Sequence, residues 1–353
     1  QMRPDHVLVD VSFPHNHMDR VLEVVTSVLH DPVYDPKWVA RMSGRLSQTM
    51  THARAQPAVA MWEAGRRAAL GADSPVYQFL SLPDVAQVAA VTPEDLKRWH
   101  ARTVSVRPEA IAVVGHITQD AAGAAVDRLV GALPNTAQPM PLAQAVDTRP
   151  RSIYVHAPDS TVTSLGLMGI LPATKDGADY IDAVAVRMLS EGTTAPLFTA
   201  VRTNLRATYG IAAGLDNYNR ANRLFYMAGD VEGARLAEAV PVIRAAYTAF
   251  LMDPDADSLL ALRDLQAEAL ESASRYVDIG ATMMREMMLD GFAPEDAFAL
   301  ADKTRALSLE TLRTRLHEDY PKADALIVLA TGPTPEDLPG ACVITTIAEV
   351  DGC

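Results

Sequence analysis

Cysteine and positive charge are both scarce in this sequence, and each shortage excludes a class of protein. The 353 residues contain two cysteines, Cys342 and Cys353, which can form a disulfide across a short tail loop but lack the spacing of a zinc-binding cysteine pair. The net charge is −13, which argues against a nucleic-acid-binding surface and against binding to anionic lipid. No run of about 18 apolar residues occurs, so the sequence contains no candidate membrane span.

Apolar segments alternate with amphipathic helical patterns along the chain, and this alternation predicts an α/β fold. Strands are predicted at residues 5–13, 110–115, 151–158, 163–171, 223–231, 324–331 and 341–347. A helix is predicted at residues 196–210, ending near Gly210. Four prolines within residues 134–150 indicate a linker. We place it at residues 138–150, between a first domain at residues 1–137 and a second at residues 151–353.

The two halves of the chain resemble each other in order and spacing. Thr92 caps a predicted helix, with Pro93 at its first position, and a short apolar segment follows. This pattern recurs at one constant offset, with Thr92 corresponding to Ser308, Leu96 to Leu312 and Ile111 to Ile327. Chance matching of alternating segments is the competing explanation. We interpret the pattern as a duplication of a unit of about 210–220 residues. We expect the first domain to be incomplete at its N-terminal side by about 65–70 residues.

One segment carries a family resemblance, the stretch SEGTTAPLFTAVRTNLRATYGIAA at residues 190–213. With the capped helix and the AIAVVG segment, it resembles the pitrilysin and mitochondrial-processing-peptidase family of zinc peptidases, the inverzincins. The matching positions are Gly192, Leu197, Arg202 and Tyr209, and the spacing of seven from arginine to tyrosine agrees with the family. The resemblance implies two similar α/β domains (an α+β sandwich), each a mostly antiparallel sheet packed with helices. It also implies zinc peptidase chemistry, with His-x-x-Glu-His and a distant glutamate around the metal.

Neither part of that zinc site is present in the sequence. None of the nine histidines begins His-x-x-Glu-His or His-Glu-x-x-His, and Gln48 and Thr49 stand where the distant glutamate would fall. We therefore expect no metal and no cofactor in this chain, and zinc in a homologous partner subunit that carries His-x-x-Glu-His. His15 and His17 could suggest another metal site, but their spacing suits neither one helix face nor a known zinc motif. A polar turn explains them better.

Arg202 and Tyr209 allow two interpretations. From residue type alone, Arg202 fits a solvated helix face and Tyr209 fits packing at a helix end. In the peptidases that the chain resembles, such a pair reaches from the second domain to the peptide at the zinc. A guanidinium and a phenol can donate to a peptide carbonyl and stabilise the oxyanion that forms on attack. With the family spacing we favour the second interpretation and predict Arg202 and Tyr209 as the site residues.

The first hypothesis is a non-catalytic, metal-free subunit of a heteromeric zinc peptidase. It would be inactive alone, would close a cavity around an unfolded peptide, and would present Arg202 and Tyr209 to that peptide. The alternative is a purely structural subunit of a larger assembly, and a third possibility is a zinc motif in a segment before Gln1. Alanine-rich composition suggests a bacterial source, and a start without methionine suggests the periplasm rather than the cytoplasm.

Overall fold

The computed structural model describes residues 2–3, 6–104, 108–135 and 149–353, with the backbone alone at positions 178, 209, 219 and 222. The chain forms two compact units. The first comprises Gln1–Ala53, Leu82–Pro141 and Ala273–Ala297, and the second comprises Arg54–Ser81, Leu142–Ser272 and Phe298–Cys353. Of the linker predicted at residues 138–150, positions 138–148 lie outside the described residues. The predicted domain limits stay a prediction.

Helices account for most of the described chain, and one sheet accounts for its strands. The helices are α1 (Met18–His30), α2 (Pro36–Arg54), α3 (Pro57–Leu70), α4 (Pro75–Leu80), α5 (Val85–Ala89), α6 (Pro93–Thr103), α7 (Gln119–Val130), α8 (Tyr180–Ser190), α9 (Leu236–Met252), α10 (Ala256–Ser274), α11 (Val277–Leu289), α12 (Asp296–Arg305) and α13 (Leu309–Asp319). The strands are β1 (Ser152–His156), β2 (Thr163–Leu171), β3 (Thr208–Asn219), β4 (Asn222–Val231), β5 (Ile327–Gly332) and β6 (Cys342–Ile344). The predicted α/β class is therefore confirmed.

The regular elements that the structure describes in the first unit are all helices. Helix α6 begins as predicted, because Thr92 accepts a hydrogen bond from the Asp95 amide while the Asp95 carboxylate accepts from the Thr92 amide. The strands predicted at residues 5–13 and 110–115 are wrong over residues 6–13 and 110–115, which form no ladder. Alternation of apolar residues gives an extended chain, but a strand also needs a neighbour, and the sheet takes all its strands from residues 152–344. The duplication therefore stays a prediction.

The second unit contains a six-stranded mixed sheet in the order β3-β4-β2-β5-β1-β6. The pairs β3–β4, β4–β2 and β2–β5 are antiparallel, whereas β1 lies parallel to both β5 and β6. Strands β3 and β4 are joined by a tight hairpin in which Asn219 pairs with Asn222. Because β3 and β6 are the two ends of this order, each presents one row of backbone groups that no described strand pairs with.

Both faces of the sheet are buried, and neighbouring residues of one strand serve opposite faces. In β5, Val328 packs against α8, α9 and α13, whereas Leu329 packs against α3. Helix α3 lies close to the sheet because its inner side is small. A Cβ on Gly65 would lie 2.3 Å from a Leu329 methyl carbon, so any larger residue there would displace that side chain or α3. A helix from the N-terminal third thus covers a sheet built from residues 152–344.

A buried charge network holds β4, α8 and α13 together. Asp182 is completely buried and accepts hydrogen bonds from Arg223 at 2.6 Å and from Arg315 at 2.6 and 3.0 Å. Arg223 also donates to the Pro172 carbonyl at 3.0 Å and lies 3.0 Å from Asp179. Burial alone would raise the pKa of Asp182, but the hydrogen bonds and charges of Arg315 and Arg223 outweigh it and lower that pKa. The aspartate is therefore ionised in the core.

The two cysteines form the disulfide that the sequence allowed, and it holds the C-terminal turn against the sheet. Cys342 on edge strand β6 is bonded to Cys353, and between them Val350 is buried in the α3 face of the core. We expect the Cys342→Ser/Cys353→Ser variant to lose about 2–3 kcal/mol of unfolding free energy, since the bridge restricts the unfolded chain. Urea unfolding of the variant and of the reduced wild type should agree. Equal stability of reduced and oxidised wild type would contradict this.

Candidate functional site

Arg202 lies in an irregular turn rather than in a regular α-helix. The segment Phe198–Asn204 is π-helical, and the Leu205 amide donates to the Ala200 carbonyl at 3.1 Å. The Arg202 side chain is exposed, and its guanidinium lies over the Phe198 ring at 5.4 Å from the centroid. Single π-helical turns are frequent at functional sites.

The helix predicted to reach Gly210 ends at Asn204, so that prediction is wrong in its last turns. Arg206 adopts the left-handed conformation, with φ of 56°, and the Ala207 amide donates to the Val201 carbonyl at 3.1 Å. This closing pattern is a common way to end a helix, although the left-handed position usually holds glycine. The chain then turns directly into β3 at Thr208.

Tyr209 lies at a bulge in edge strand β3. The register of β3 against β4 shifts between Thr208 and Gly210, and the Thr208 hydroxyl accepts from the Gly210 amide at 3.1 Å. The side chain of Tyr209 lies outside the described part of the structure. Bulges reorient side chains and are common beside active sites. The structure therefore places Arg202 and Tyr209 on two successive backbone irregularities of one unit, separated by a single left-handed turn.

The positions considered for metal binding belong to the first unit. The described residues contain no group of three or more histidine, cysteine or acidic side chains that could hold a metal ion. His15 belongs to a short 3-10 turn that leads into α1, and its ring contacts that of His116 edge to face at 5.8 Å. Gln48 and Thr49 are exposed on α2, where the Thr49 hydroxyl donates to the Arg45 carbonyl.

A second group of side chains, which the sequence did not reveal, lines a pocket of 320 Å³ on the α3 face of the sheet. We call it the Trp62 pocket, and its lining residues are Trp62, Arg66, Asp216 and Tyr226. Trp62 and Tyr226 contact edge to face at 5.1 Å. Arg66 donates to the Tyr218 hydroxyl at 2.8 Å and to Asp216 at 3.2 Å. The one available signal was the spacing of four that puts Trp62 and Arg66 on one side of α3.

Tyr218 fixes the charged pair of the Trp62 pocket. Its hydroxyl accepts from Arg66 and donates to Asp216 Oδ2 at 2.9 Å. Burial raises the pKa of Tyr218, and Asp216 adds to the rise although Arg66 opposes it. The hydroxyl therefore keeps its proton at neutral pH and holds both side chains in place.

Comparison with known proteins identifies the fold. Residues 90–264 match the family model of the peptidase M16 inactive domain. The crystal structure of the peptidase M16 inactive domain from Pseudomonas fluorescens has a TM-score of 0.75 at 17% identity, over 90% of this chain and 76% of that one. The first half of the periplasmic protease PqqL from Escherichia coli gives 0.65 at 14% identity, over 96% and 75%. A chain of Complex III2 from Candida albicans gives 0.68 at 11% identity, over 91% and 77%. No curated protein matches the chain.

These matches define a class, the α/β fold of peptidase-like domains. Residues 90–264 are similar to the peptidase M16 inactive domain, and the solved structures share its fold, so the resemblance to pitrilysin-like peptidases drawn from the sequence is confirmed. Within the described residues, no helix is long and apolar enough to cross a membrane.

Proposed function

We propose that this chain is the metal-free subunit of a two-chain zinc peptidase, paired with a homologous subunit that carries His-x-x-Glu-His. The observation that carries the proposal is the joint placement of an exposed Arg202 in a π-helical turn and of Tyr209 at the bulged start of edge strand β3. The match to an inactive M16 domain supports it, because such a domain has the fold of a peptidase without its hydrolytic role. The family's spacing between the two residues supports it further.

The roles of the two subunits follow from ordinary peptidase chemistry. Zinc in the partner would supply the activated water that attacks the scissile carbonyl. Arg202 and the Tyr209 hydroxyl would both donate hydrogen bonds to the scissile carbonyl of the bound peptide and to the oxyanion that develops there on attack. A fixed guanidinium is suited to this task because it keeps its charge at any working pH and donates along several directions.

An extended peptide could add to the sheet at β3. This strand is twelve residues long and forms one end of the strand order, so a row of its backbone groups faces away from β4. Gly210 and Ala212 present little side-chain bulk near its start. Strand addition supplies affinity through main-chain hydrogen bonds and is sequence-tolerant. A peptide bound in this way would pass Tyr209, which lies at the bulge near the start of the same strand.

A scaffold role is the second candidate function. The similarity to a chain of Complex III2, at a TM-score of 0.68, favours it, since that fold also serves inside an assembly. A scaffold has no use for an exposed arginine beside a strand bulge, whereas a peptide-binding subunit does. The bacterial periplasm is our proposed compartment, because the disulfide requires oxidising conditions and PqqL is a periplasmic protease of the same fold.

Reconstitution tests the proposed function. This chain, a homologous chain that carries His-x-x-Glu-His, and the two together should be purified, and cleavage of an unfolded fluorogenic peptide should be measured in each of the three samples. We expect no cleavage by this chain alone, cleavage by the mixture, and loss of that cleavage with a chelator. Chelator-sensitive cleavage by the isolated chain would show a complete site in one subunit. An unchanged rate for the partner with and without this chain would favour the scaffold.

A further inference from the structure

We propose that the Trp62 pocket binds the side-chain carboxamide of a glutamine or asparagine in a peptide segment. The pocket lies between α3 and the β3–β4 hairpin, so it is distinct from the segment that carries Arg202 and Tyr209. Nothing in the inference depends on a zinc-bearing partner. Its failure would therefore leave the proposed function untouched, and failure of the proposed function would leave the assignment of this pocket untouched.

The floor and wall of the pocket are aromatic because glycine leaves room for the rings. Gly214 of β3 pairs with Tyr226 of β4, and a Cβ on Gly214 would lie 2.4 Å from the Tyr226 hydroxyl. Only glycine lets the phenol lie across β3 at this position. The Trp62 indole stands against the phenol edge to face. Flat aromatic surfaces of this kind pack well against a planar amide and its methylene groups.

The charged pair leaves one acceptor and one donor without a hydrogen-bond partner among the described residues. Asp216 Oδ2 accepts from both Arg66 and Tyr218, while Oδ1 has no hydrogen-bond partner among the residues that the structure describes. Arg66 uses Nε and Nη2 for its two hydrogen bonds, and over the same described residues Nη1 makes none. A carboxamide complements both groups, because its NH₂ donates to a carboxylate and its oxygen accepts from a guanidinium.

The mutual neutralisation of Arg66 and Asp216 makes the pocket select a neutral polar group. A glutamate side chain would gain from Arg66 but would be repelled by Asp216, and a lysine side chain would meet the reverse situation. A leucine side chain would remove water from both charged groups without replacing any hydrogen bond. Of these side chains, glutamine alone satisfies the donor and the acceptor together.

Trp62 can report on binding because the chain contains only three tryptophans. In the full-length Trp38→Phe/Trp99→Phe variant, Trp62 is the sole indole. Four peptides, acetyl-Ala-X-Ala-amide with X as glutamine, leucine, glutamate or lysine, should be titrated while its emission is recorded. We expect the glutamine peptide to bind about tenfold more tightly than the other three, because only its carboxamide forms hydrogen bonds with both Asp216 and Arg66. Equal binding of the four peptides, or an emission that none of them changes, would overturn the proposal.

Charge variants provide a test that partial unfolding cannot imitate. Asp216→Asn leaves Arg66 without its counter-charge, so the preference should move from the glutamine to the glutamate peptide. Arg66→Met leaves Asp216 alone and should move the preference to the lysine peptide. Arg67→Met is the matched control, because Arg67 is the next residue of α3 but bonds to Asp351. It should retain the glutamine preference. A charge variant that keeps the wild-type order of affinities would refute the assignment.

Discussion

Replacing Asp182 by alanine is expected to lower the free energy of unfolding by about 3–5 kcal/mol. The carboxylate is fully buried, and it is shared by two arginines whose exposed fractions are 1% for Arg223 and 5% for Arg315. Arg315 would keep Asp319 at 2.7 Å, but Arg223 would keep only Asp179 and the Pro172 carbonyl. The loss is large because the substitution leaves charge in the core without its main partner, not because the ion pairs are strong in themselves.

Urea unfolding, followed by far-ultraviolet circular dichroism, measures this loss. Glu238→Ala is the control, because Glu238 pairs with Arg235 on an exposed surface, where such pairs contribute about 0–1 kcal/mol. A third variant replaces Asp182, Arg223 and Arg315 together by leucine and methionine. It should be much more stable than Asp182→Ala, since it removes the stranded charges as well. Comparable losses of unfolding free energy in Asp182→Ala and Glu238→Ala would show that the buried network stabilises the fold no more than an exposed ion pair does.

The same network gives a pH dependence with a defined sign. The pKa of Asp182 in the folded state is lowered from the ordinary 3.8. The contribution of its carboxylate to the free energy of unfolding is therefore complete above pH 3.8 and is lost as the pH falls through the lower folded-state pKa. Asp179 acts in the opposite direction, because burial raises its pKa despite Arg223. In Asp182→Asn the first effect disappears. Its stability should therefore fall less steeply than that of the wild type below about pH 4.

The parts of the fold that could be predicted are those with local signals. Strands β1, β2, β4, β5 and β6 fall within predicted segments to within one residue at an end, because their β-branched and large apolar residues form compact runs. Strand β3 was not predicted, and its first residues, 208–210, were predicted as the end of a helix. Its alanine and glycine residues carry little strand preference, and it exists because β4 pairs with it along almost its whole length. Pairing of this kind is a tertiary effect that a local pattern does not contain.

The candidate site divides in the same way. Arg202 and Tyr209 were predicted from a spacing within one short segment. That spacing did not reveal the π-helical turn and the strand bulge on which they lie. The Trp62 pocket brings Arg66 to Asp216, 150 positions later, and the buried network brings Asp182 to Arg315 across 133 positions. In the sequence each of these residues looks like an ordinary surface charge. Only the packing of α3 and α13 on the sheet shows that they are paired.

Arg202→Ala is expected to lower kcat of the reconstituted peptidase about 10²- to 10³-fold, the range seen when one donor to a developing oxyanion is removed. Tyr209→Phe, which removes only the hydroxyl, should fall in the same range. KM should change much less, because the interactions are stronger in the transition state than with the bound peptide. Rates with a fluorogenic peptide give both constants, and co-purification shows whether the variant subunit still joins its partner.

Arg206→Ala is the matched control, because it removes an exposed guanidinium from the same segment without touching Arg202. It should stay within about twofold of the wild type. The Arg202→Ala/Tyr209→Phe variant adds a further criterion. Two donors that act on one oxyanion work as a unit, so the double variant should lose little more than either single variant. Full rates in both single variants would mean that the subunit only supports the assembly. Equal losses for Arg202→Ala and Arg206→Ala would mean that charge on this surface, rather than a placed donor, attracts the peptide.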